Sequence, residues 1–418
     1  MRIEKYDYQP LKNICTRIGD GLHGTPKYSD ELKIPFINGN NLKNGQISVT
    51  KNTNYVTEEE YEKNYIKLDQ NSLLLSINGT LGSMAFYKDE VIMLGKSAAY
   101  LNFKTPINKF YYYYFQLPGV QTYFYNVATG STIKNLSLKS IQDFEVPVPS
   151  KYEYEAISKI LFDLDNKIEL NNKINTELEA MAKLIYDYWF VQFDFLDKNG
   201  KPYKSSGGSM VYNEELKREI PEGWEVKNIN EIIEVKDGTH DSPKSQDYGF
   251  KLITSKHLKT KGLDFEKANY ISEEDYKNIN KRSQVNTGDI LFSMIGNIGT
   301  VYKIEEKTID FAIKNVALYK TSAHMAMRNY VYMYLRSYDM QRYMGNVIAG
   351  SIQKFIGLGS LRKMPFMNDS KTISKFEEKT NFIFKEMNVL KVQNQKLAEL
   401  RDWLLPMLMN RQVRVGEV

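Results

Sequence analysis

The sequence predicts an α+β protein: two similar globular domains with small twisted sheets, joined by two long antiparallel coiled-coil helices with pseudo-two-fold symmetry. Three observations predict this fold. One globular pattern occurs twice in the chain. A long amphipathic helix pattern follows each copy. Short apolar runs inside each copy end in turn signals, as strands do. A chain of 418 residues also has room for roughly two to three domains.

The internal repeat consists of six stretches that recur in the same order. The segment DGLHGTPK at 20–27 returns as DGTHDSPK at 237–244, 217 positions later. The other matches pair 34–47 with 250–263, 54–61 with 269–276, 76–82 with 293–299, 95–104 with 313–320, and 130–140 with 350–360. The offset drifts between 215 and 220, as loop insertions and deletions would cause. The predicted organisation is a domain at 1–149, a helix at 150–190, a linker at 191–219, a domain at 220–370 and a helix at 371–412.

The stretch GDGLHG at 19–24 has the G-x-G-x-x-G spacing of a dinucleotide-binding loop. Such a loop needs all its glycines and a helix that begins directly after it. In the second copy Lys236 and Asp241 replace two of the glycines, and Pro26 with a polar run follows the first copy. The repeat therefore indicates an ordinary glycine-rich turn, and no cofactor is expected to bind this chain.

The two helical stretches carry apolar residues at 4-3-4 spacing without an internal glycine. We expect them to pair with each other along this seam rather than each packing only on its own domain. The seam is predicted to contain Ile157, Leu161, Leu164, Ile168, Leu178, Met181, Ile383, Met387, Leu390, Leu397 and Leu404. Asn171 and Asn394 interrupt the two stripes at similar places, as residues that set a register would.

Inside the domains, the apolar runs at 72–77 and 289–294 end in turn residues and are predicted strands. The aromatic clusters KFYYYYF at 109–115 and NYVYMYL at 329–335 occupy equivalent places. Aromatic residues can stack on bases. The second copy substitutes Val331, Met333 and Leu335, which favours a packed helix over a stacking surface.

Composition excludes several classes of protein. The single cysteine, Cys15, rules out an internal disulfide framework, and the four histidines form no metal-spaced cluster, so no metal site is expected. No apolar run is long enough to span a membrane, and the charged start lacks a signal-peptide core, so we expect a cytoplasmic protein without a membrane partner. The chain shows neither a Walker loop nor the Asn/Asp-Pro-Pro-Tyr/Phe tetrapeptide of adenine methyltransferases. A net charge of +5 by itself says little about a nucleic-acid partner.

Four stretches, together with the repeat and the helices, resemble one known family. They are GSTIKNLSLKSIQDFEVPVP at 130–149, YDYWFVQFDF at 186–195, GKPYKSSGGSMVYNEELKREIPEGWEV at 200–226 and LAELRDWLLPMLMNRQVRV at 397–415. With them the chain resembles the DNA-specificity subunit of type I restriction-modification enzymes, over nearly its whole length.

The resemblance implies a non-catalytic, sequence-specific DNA-binding subunit. Each target-recognition domain would read one half of a bipartite site on double-stranded DNA, and the helices would set the spacer. Two modification subunits, which use S-adenosylmethionine to methylate adenine, would dock on the helices, and restriction subunits would join them. The alternatives are a recognition subunit of an adenine methyltransferase complex without a nuclease, a self-contained methyltransferase with unrecognised motifs, and a coiled-coil scaffold without a DNA role.

The repeat also suggests which residues contact DNA. Residues shared by both copies are candidates for phosphate contacts, and residues that differ beside them are candidates for base reading. The shared candidates are Lys27 and Lys244, Lys43 and Lys259, Lys96 and Lys314, and Lys134 and Lys354. The divergent candidates are Asn38, Asn40 and Asn41 against Thr254, Lys256 and His257; Thr80 against Asn297; and Thr132 with Asn135 against Gln353. The alternatives are solvated lysines and asparagines that turn the backbone; for His23 and His240 a structural hydrogen bond is favoured.

Overall fold

The computed structural model describes residues 6–259, 262–350 and 354–415. It divides into two compact units, one formed by Met1–Leu170 with Gln393–Val418 and the other by Asn171–Val392. We call them unit 1 and unit 2. Both divisions fall inside the two long helices, so each unit contains a segment of both.

The globular part of unit 1 combines short strands and short helices. Its strands are β1 (Asp7–Pro10), β2 (Cys15–Asp20), β3 (Tyr28–Ser29), β4 (Ile34–Ile37), β5 (Leu42–Lys43), β6 (Gln46–Ile47), β7 (Tyr55–Val56), β8 (Ser72–Ser76), β9 (Met84–Phe86), β10 (Met93–Leu94), β11 (Ala98–Phe103) and β12 (Glu145–Val148). Its helices are α1 (Leu11–Ile14), α2 (Glu58–Lys63), α3 (Asn108–Tyr114), α4 (Pro118–Val127) and α5 (Leu138–Gln142), with a 3-10 turn at Gly39–Asn41.

Two four-stranded sheets organise unit 1. One has the order β2-β11-β8-β9 and is antiparallel; the other has the order β10-β4-β7-β3, in which β10 and β4 run parallel. β8 lies between β11 and β9, and all five of its residues are buried, which explains its continuous apolar centre. The strand predicted at 72–77 is confirmed. β1 pairs with β12, and β5 pairs with β6.

The first long helix, α6, spans Lys151–Tyr186 and ends in a π-helical turn at Asp187–Val191. At about 1.5 Å per residue, its 36 residues extend about 54 Å.

The globular part of unit 2 repeats this plan. Its strands are β13 (Met210–Asn213), β14 (Arg218–Pro221), β15 (Glu225–Asn228), β16 (Val235–Asp237), β17 (Phe250–Thr254), β18 (Leu258–Lys259), β19 (Gly262–Leu263), β20 (Tyr270–Ile271), β21 (Ile290–Ser293), β22 (Val301–Lys303), β23 (Phe311–Lys314), β24 (Val316–Tyr319) and β25 (Pro365–Asn368). Its helices are α7 (Ile229–Ile232), α8 (Glu273–Ser283), α9 (Arg328–Leu335), α10 (Tyr338–Val347) and α11 (Leu358–Arg362), with 3-10 turns at Ser255–His257, Thr321–Ala323 and Met325–Met327.

The sheets of unit 2 correspond to those of unit 1, although its second sheet, β20-β17-β23, has three strands rather than four. The order β16-β24-β21-β22 corresponds to β2-β11-β8-β9, and β17 pairs in parallel with β23, as β4 does with β10. β15 pairs with β25, as β1 does with β12. β21 at Ile290–Ser293 confirms the strand predicted at 289–294. The internal repeat therefore reflects two domains of the same topology.

The aromatic clusters lie in the interiors of the two units, as predicted. In unit 1 the clustered residues of α3 are buried, and the Tyr111 hydroxyl donates to the carbonyl of Pro147 at 2.7 Å. In unit 2 the Tyr330 hydroxyl of α9 donates to the carbonyl of Met367 at 2.9 Å. Each hydroxyl thus ties the last strand of its domain, β12 or β25, to the helix.

The second long helix, α12, spans Ser370–Met409, and its 40 residues extend about 60 Å. In unit 1 the segments of α12 and α6 run antiparallel. Arg401 forms an ion pair of 2.7 Å with Asp165, Asn394 donates to the carbonyl of Ile168, and Arg411, just beyond α12, pairs with Glu153 at 2.8 Å.

In unit 2 the segments of the two long helices also pack on each other. Tyr186 and Trp189 both lie beside Phe376, with ring centroids 6.1 Å apart in each case. Ile383 and Leu390 are buried on the α12 segment. The predicted pairing of the helices is therefore confirmed inside each unit.

All but one of the predicted seam residues are buried or half-buried. The buried or half-buried ones are Ile157, Leu161, Leu164, Ile168, Leu178, Ile383, Met387, Leu390, Leu397 and Leu404. Met181 is 52% exposed, so its place in the predicted seam is wrong. The buried face instead passes through Ala182, which is fully buried, one position along the helix. Because alanine contributes little to a hydrophobic pattern, the sequence did not show that Ala182 lies on the buried face of α6.

Candidate nucleic-acid interface

In unit 1 five loops meet at one edge of the sheets. We call this the unit 1 loop edge; it comprises 21–24, 38–41, 77–82, 95–97 and 129–135. Leu22 forms a β-bridge with Gly95, and the Ser97 hydroxyl accepts from the amide of Gly39 at 2.9 Å. Asn78 forms a β-bridge with Asn135. The fold thus brings together side chains that are more than a hundred residues apart in sequence.

In unit 2 the equivalent loops meet in the same way. The unit 2 loop edge comprises 238–241, 254–257, 294–299, 314–315 and the described residues of 349–356. Thr239 forms a β-bridge with Lys314, and Ile295 forms one with Phe355. The Ser255 hydroxyl donates to the carbonyl of Asn315 at 2.8 Å.

The glycines of the DG-x-H motif serve close approach of the backbone. A Cβ atom at Gly21 would collide with the carbonyl of Leu94, and one at Gly238 would collide with the carbonyl of Ile313. The amides of the following residues, Leu22 and Thr239, donate to these same carbonyls of Leu94 and Ile313. These glycines therefore allow two loops of the edge to approach closely, which gives them a structural role in the motif.

The histidine of the same motif binds an aspartate three residues earlier in both units. His23 contacts Asp20 at 2.8 Å. His240 contacts Asp237 at 2.9 Å through Nε2 and the Asn315 amide oxygen at 2.7 Å through Nδ1. The hydrogen-bonding role favoured for both histidines is thus observed, while their side chains remain 74% and 64% exposed.

Two of the predicted base-reading residues, Asn41 and His257, are instead buried helix caps. The Asn41 amide oxygen accepts from the amide of Asn38, and His257 Nδ1 accepts from the amide of Thr254, each at 3.0 Å. Their exposed fractions are 4% and 3%. Buried side chains cannot reach base edges, so base reading by these two residues is a wrong prediction. The asparagine and the histidine differ between copies because either can accept this hydrogen bond.

Burial lowers the pKa of the His257 ring, and the positive charge of Lys256 lowers it further. The nearby carboxylate of Asp264 opposes this effect. The neutral ring suits the cap, because only an unprotonated Nδ1 can accept a hydrogen bond.

The described ends of the Gly-Ser loop make the same backbone hydrogen bonds in both units but carry different side chains. The Asn135 amide donates to the carbonyl of Thr129 at 2.7 Å, and the Phe355 amide donates to the carbonyl of Ala349 at 2.9 Å. The next residue, Leu136 or Ile356, is fully buried and donates to the strand end at 2.9 Å. Asn135 and Phe355 are exposed at equivalent positions.

Other divergent candidates lie at the loop edges with their polar groups partly engaged. The Asn38 amide oxygen accepts from Ser97 at 2.9 Å, Thr80 contacts Ser76 at 3.0 Å, and Asn297 donates to Thr300 at 3.0 Å. Asn40, Thr132 and Lys256 are exposed, and Thr254 is half-buried. Gln353 lies outside the described residues.

The candidate lysines divide into two groups. Lys96, Lys314, Lys134 and Lys354 belong to the loop edges or their Gly-Ser loops; Lys314 donates to Ser242, and Lys134 lies 5.1 Å from the Tyr125 ring. Lys27, Lys43, Lys244 and Lys259 are exposed but lie outside the loops defined as the edges. Lys27 is 3.9 Å from Glu59 of α2, and Lys259 donates to the carbonyl of Lys256.

Three residues of the loop edges were missed by the sequence reasoning: Ser97, Asn315 and Phe355. Ser97 and Asn315 are counterparts that follow the paired lysines Lys96 and Lys314. All three already lie inside matched stretches of the repeat, at 95–104, 313–320 and 350–360, but the alignment gave no sign of their contacts.

Within the described residues, the structure contains neither a cluster of metal-binding side chains nor a helix long and apolar enough to cross a membrane.

Comparisons with known proteins identify the family. The family model described as "Type I restriction modification DNA specificity domain" matches residues 4–180 and 221–368. The MjaIX type I restriction enzyme specificity subunit of Methanocaldococcus jannaschii is 25% identical over 397 residues, covering 92% of this chain and 88% of that protein. The HindI specificity subunit of Haemophilus influenzae is 23% identical over 343 residues, covering 68% and 72%.

A solved structure shows the same fold. The S subunit of a type I restriction-modification system from M. genitalium superposes with a TM-score of 0.56 at 16% identity, covering 98% of both chains. This likeness confirms the predicted fold class. Because the family model matches both globular regions, the chain belongs to the type I restriction-modification DNA specificity family. It is a specificity subunit, the component of such a system that carries its DNA specificity.

Proposed function

We propose that each globular domain reads one half of a bipartite DNA site through its loop edge. The observation that carries this proposal is the pair of loop edges, whose described residues make equivalent backbone contacts and differ in exposed side chains. Phosphates are the same everywhere on DNA, whereas two half-sites differ in sequence. Lys96 and Lys314 are shared by the two copies and lie beside polar or apolar side chains that differ. The lysines therefore suit phosphate contacts, and the neighbouring side chains suit base reading.

The long helices would set the spacer between the half-sites and bind two modification subunits. Helices of about 54 and 60 Å are long enough to act as a rigid spacer. In unit 2, α6 exposes Ile174, Met181 and Leu184, spaced seven and three residues apart. The α12 segment exposes Phe382, Val389 and Val392 at the same spacing. Exposed apolar stripes of this kind favour a protein partner, so Met181 fits a docking face better than the seam.

S-adenosylmethionine would bind the modification subunits rather than this chain, and restriction subunits would join the same complex. Isothermal titration of the isolated chain with S-adenosylmethionine tests the rival of a self-contained methyltransferase. We expect no heat of binding; saturable binding would favour the rival.

Exchange of the first domain is the direct test of the proposal. Residues 1–149 are replaced by the first domain of a relative with a known site, and methylated adenines are sequenced in a host that carries the cognate modification subunit. We expect one half-site to change while the other half and the spacer persist. A change in both halves would contradict reading by separate domains.

Two further measurements separate the remaining roles. Adding one heptad to both long helices should lengthen the spacer and leave the half-site sequences unchanged. Specific binding of the complex to DNA should weaken steeply with salt, because phosphate contacts release counterions. Affinity that does not depend on salt would favour the coiled-coil scaffold instead.

A further inference from the structure

A cavity of about 390 Å³ opens at the unit 2 loop edge. Its apolar lining includes Met294, Ile295, Phe355 and Ile356, and its polar lining includes His240 and Asn315. Ile356 is fully buried and Met294 is 5% exposed, so they form a fixed floor. Phe355 is 44% exposed and forms part of the rim. A small apolar depression with a few polar groups is the usual form of a recognition pocket.

The equivalent positions of unit 1 carry different chemistry. Asn78 and Asn135 form the β-bridge that Ile295 and Phe355 form in unit 2. The backbone contact is equivalent, because the following residue donates to the strand end at 2.9 Å in both units. One domain therefore presents two carboxamides where the other presents two apolar side chains. Asn135 and Phe355 are both exposed, so packing in the domain interior does not account for their difference, whereas the next residues, Leu136 and Ile356, are buried and both apolar.

The major groove of DNA offers one apolar group, the C5-methyl group of thymine. Asparagine, by contrast, pairs with the hydrogen-bonding edge of adenine. We propose that the second domain recognises a thymine through its C5-methyl group, which packs against Phe355 and Ile295. This inference rests on the proposed function, and it assigns a chemical group to one half-site.

The packing of Phe355 favours a methyl contact over insertion between base pairs. Its backbone is held on one side by hydrogen bonds in both directions with Ala349, at 2.9 Å each, and on the other by the bridge to Ile295. More than half of the residue's surface is already covered. The ring would have to leave this packing to enter the base stack, whereas a methyl group can reach it where it lies.

The test uses the full complex with its modification subunits and a duplex that carries the site found by sequencing methylated adenines. Each thymine of the second half-site is replaced in turn by deoxyuridine, which removes only the methyl group. We expect one position to lose about fourfold in affinity, the value of one buried methyl group. The first half-site, read by carboxamides at this position, provides the internal comparison.

Substitutions of Phe355 then test whether this residue contacts the methyl group. Phe355→Ala should abolish the difference between thymine and deoxyuridine at that position, and Phe355→Leu should retain part of it. Tyr212→Ala, which removes an exposed aromatic side chain from the β13–β14 hairpin, is the matched control and should leave the difference intact.

Several outcomes would overturn this inference and leave the proposed function standing. They are a second half-site without an A·T pair, no effect of deoxyuridine at any position while sequence-specific binding persists, or a deoxyuridine effect that survives Phe355→Ala. Bright 2-aminopurine fluorescence at the second half-site only while Phe355 is present would identify an extruded base in the cavity and also overturn it. Loss of all preference for the site over mixed-sequence DNA in the unaltered complex would instead contradict the proposed function.

Discussion

The described parts of the two loop edges make equivalent backbone contacts and differ in the side chains that they expose. In both units a glycine lets two loops touch, and a buried residue anchors the Gly-Ser loop. The residue beside that anchor is Asn135 in one unit and Phe355 in the other. Divergence between the copies is thus informative only where the side chain is exposed. Asn41 and His257 also diverge, yet both are buried caps with the same task.

The domain interiors differ as well. Strand β9 ends in Phe86, whose ring lies 6.1 Å from Phe162, whereas the equivalent strand β22 ends in the buried Lys303. Lys303 donates to Asn329 at 2.9 Å and pairs with Glu305 at 3.0 Å. Burial lowers the pKa of Lys303 to about 8. The same fold therefore tolerates an apolar or a charged interior, provided that every charge has a partner.

The largest expected effect comes from the glycines that both domains share. Gly21→Ala and Gly238→Ala should each destabilise their own unit by about 1–3 kcal/mol, because the added Cβ meets a backbone carbonyl that cannot easily move. Hydrogen exchange of the strands in each unit measures the loss separately. Gly24→Ala, where a Cβ would meet open space, is the control and should be nearly neutral. Equal stability of all three variants would contradict the shared-scaffold interpretation.

The buried tyrosines provide the next comparison. Tyr111→Phe and Tyr330→Phe should each cost about 1 kcal/mol, because each leaves a buried carbonyl without its hydroxyl donor. Urea unfolding measures the change, and Tyr125→Phe, at a residue that is 58% exposed, serves as the control. A neutral result at only one of the two positions would show that the equivalence of the two helices is only topological.

The paired lysines should contribute smaller and similar effects to DNA binding. Lys96→Ala and Lys314→Ala should each reduce the slope of log affinity against log salt concentration by about 1, while leaving the recognised sequence unchanged. Binding titrations across a salt series provide the measurement. If either substitution altered the half-site sequence, the assignment of shared residues to phosphates would be wrong.

The smallest effect concerns the cap that differs between the units. His257 has a lowered pKa in the folded state, so the unfolded chain binds the proton more readily. Stability from this residue is therefore present above the ordinary histidine pKa of about 6.5 and is lost as the pH falls through it. His257→Asn copies the cap of unit 1 and should unfold with a shallower loss of Tm between pH 7.5 and 5.5. Identical pH slopes for the two proteins would contradict this prediction.

The sequence was sufficient to predict the repeat, the strands at its apolar runs and the two long helices, because periodicity and duplication are local or statistical signals. It failed where burial depends on tertiary contacts. Asn41 resembled a surface asparagine until the structure showed its amide donating to Ser48 and Thr53. Ala182 was overlooked because a small residue contributes little to a hydrophobic pattern. Phe355 was overlooked because its importance depends on a contact with Ile295 that no spacing rule predicts.

The shared use of the long helices has a consequence for biosynthesis. The core of the first domain includes Leu405, Leu408 and Met409, from the end of α12. The stretch between Leu170 and Gln393 must be translated before that segment appears. At typical rates of synthesis this delay is on the order of ten to forty seconds. The first domain is therefore translated before the second but completes its interior after it, and loss of the end of α12 should damage the first domain.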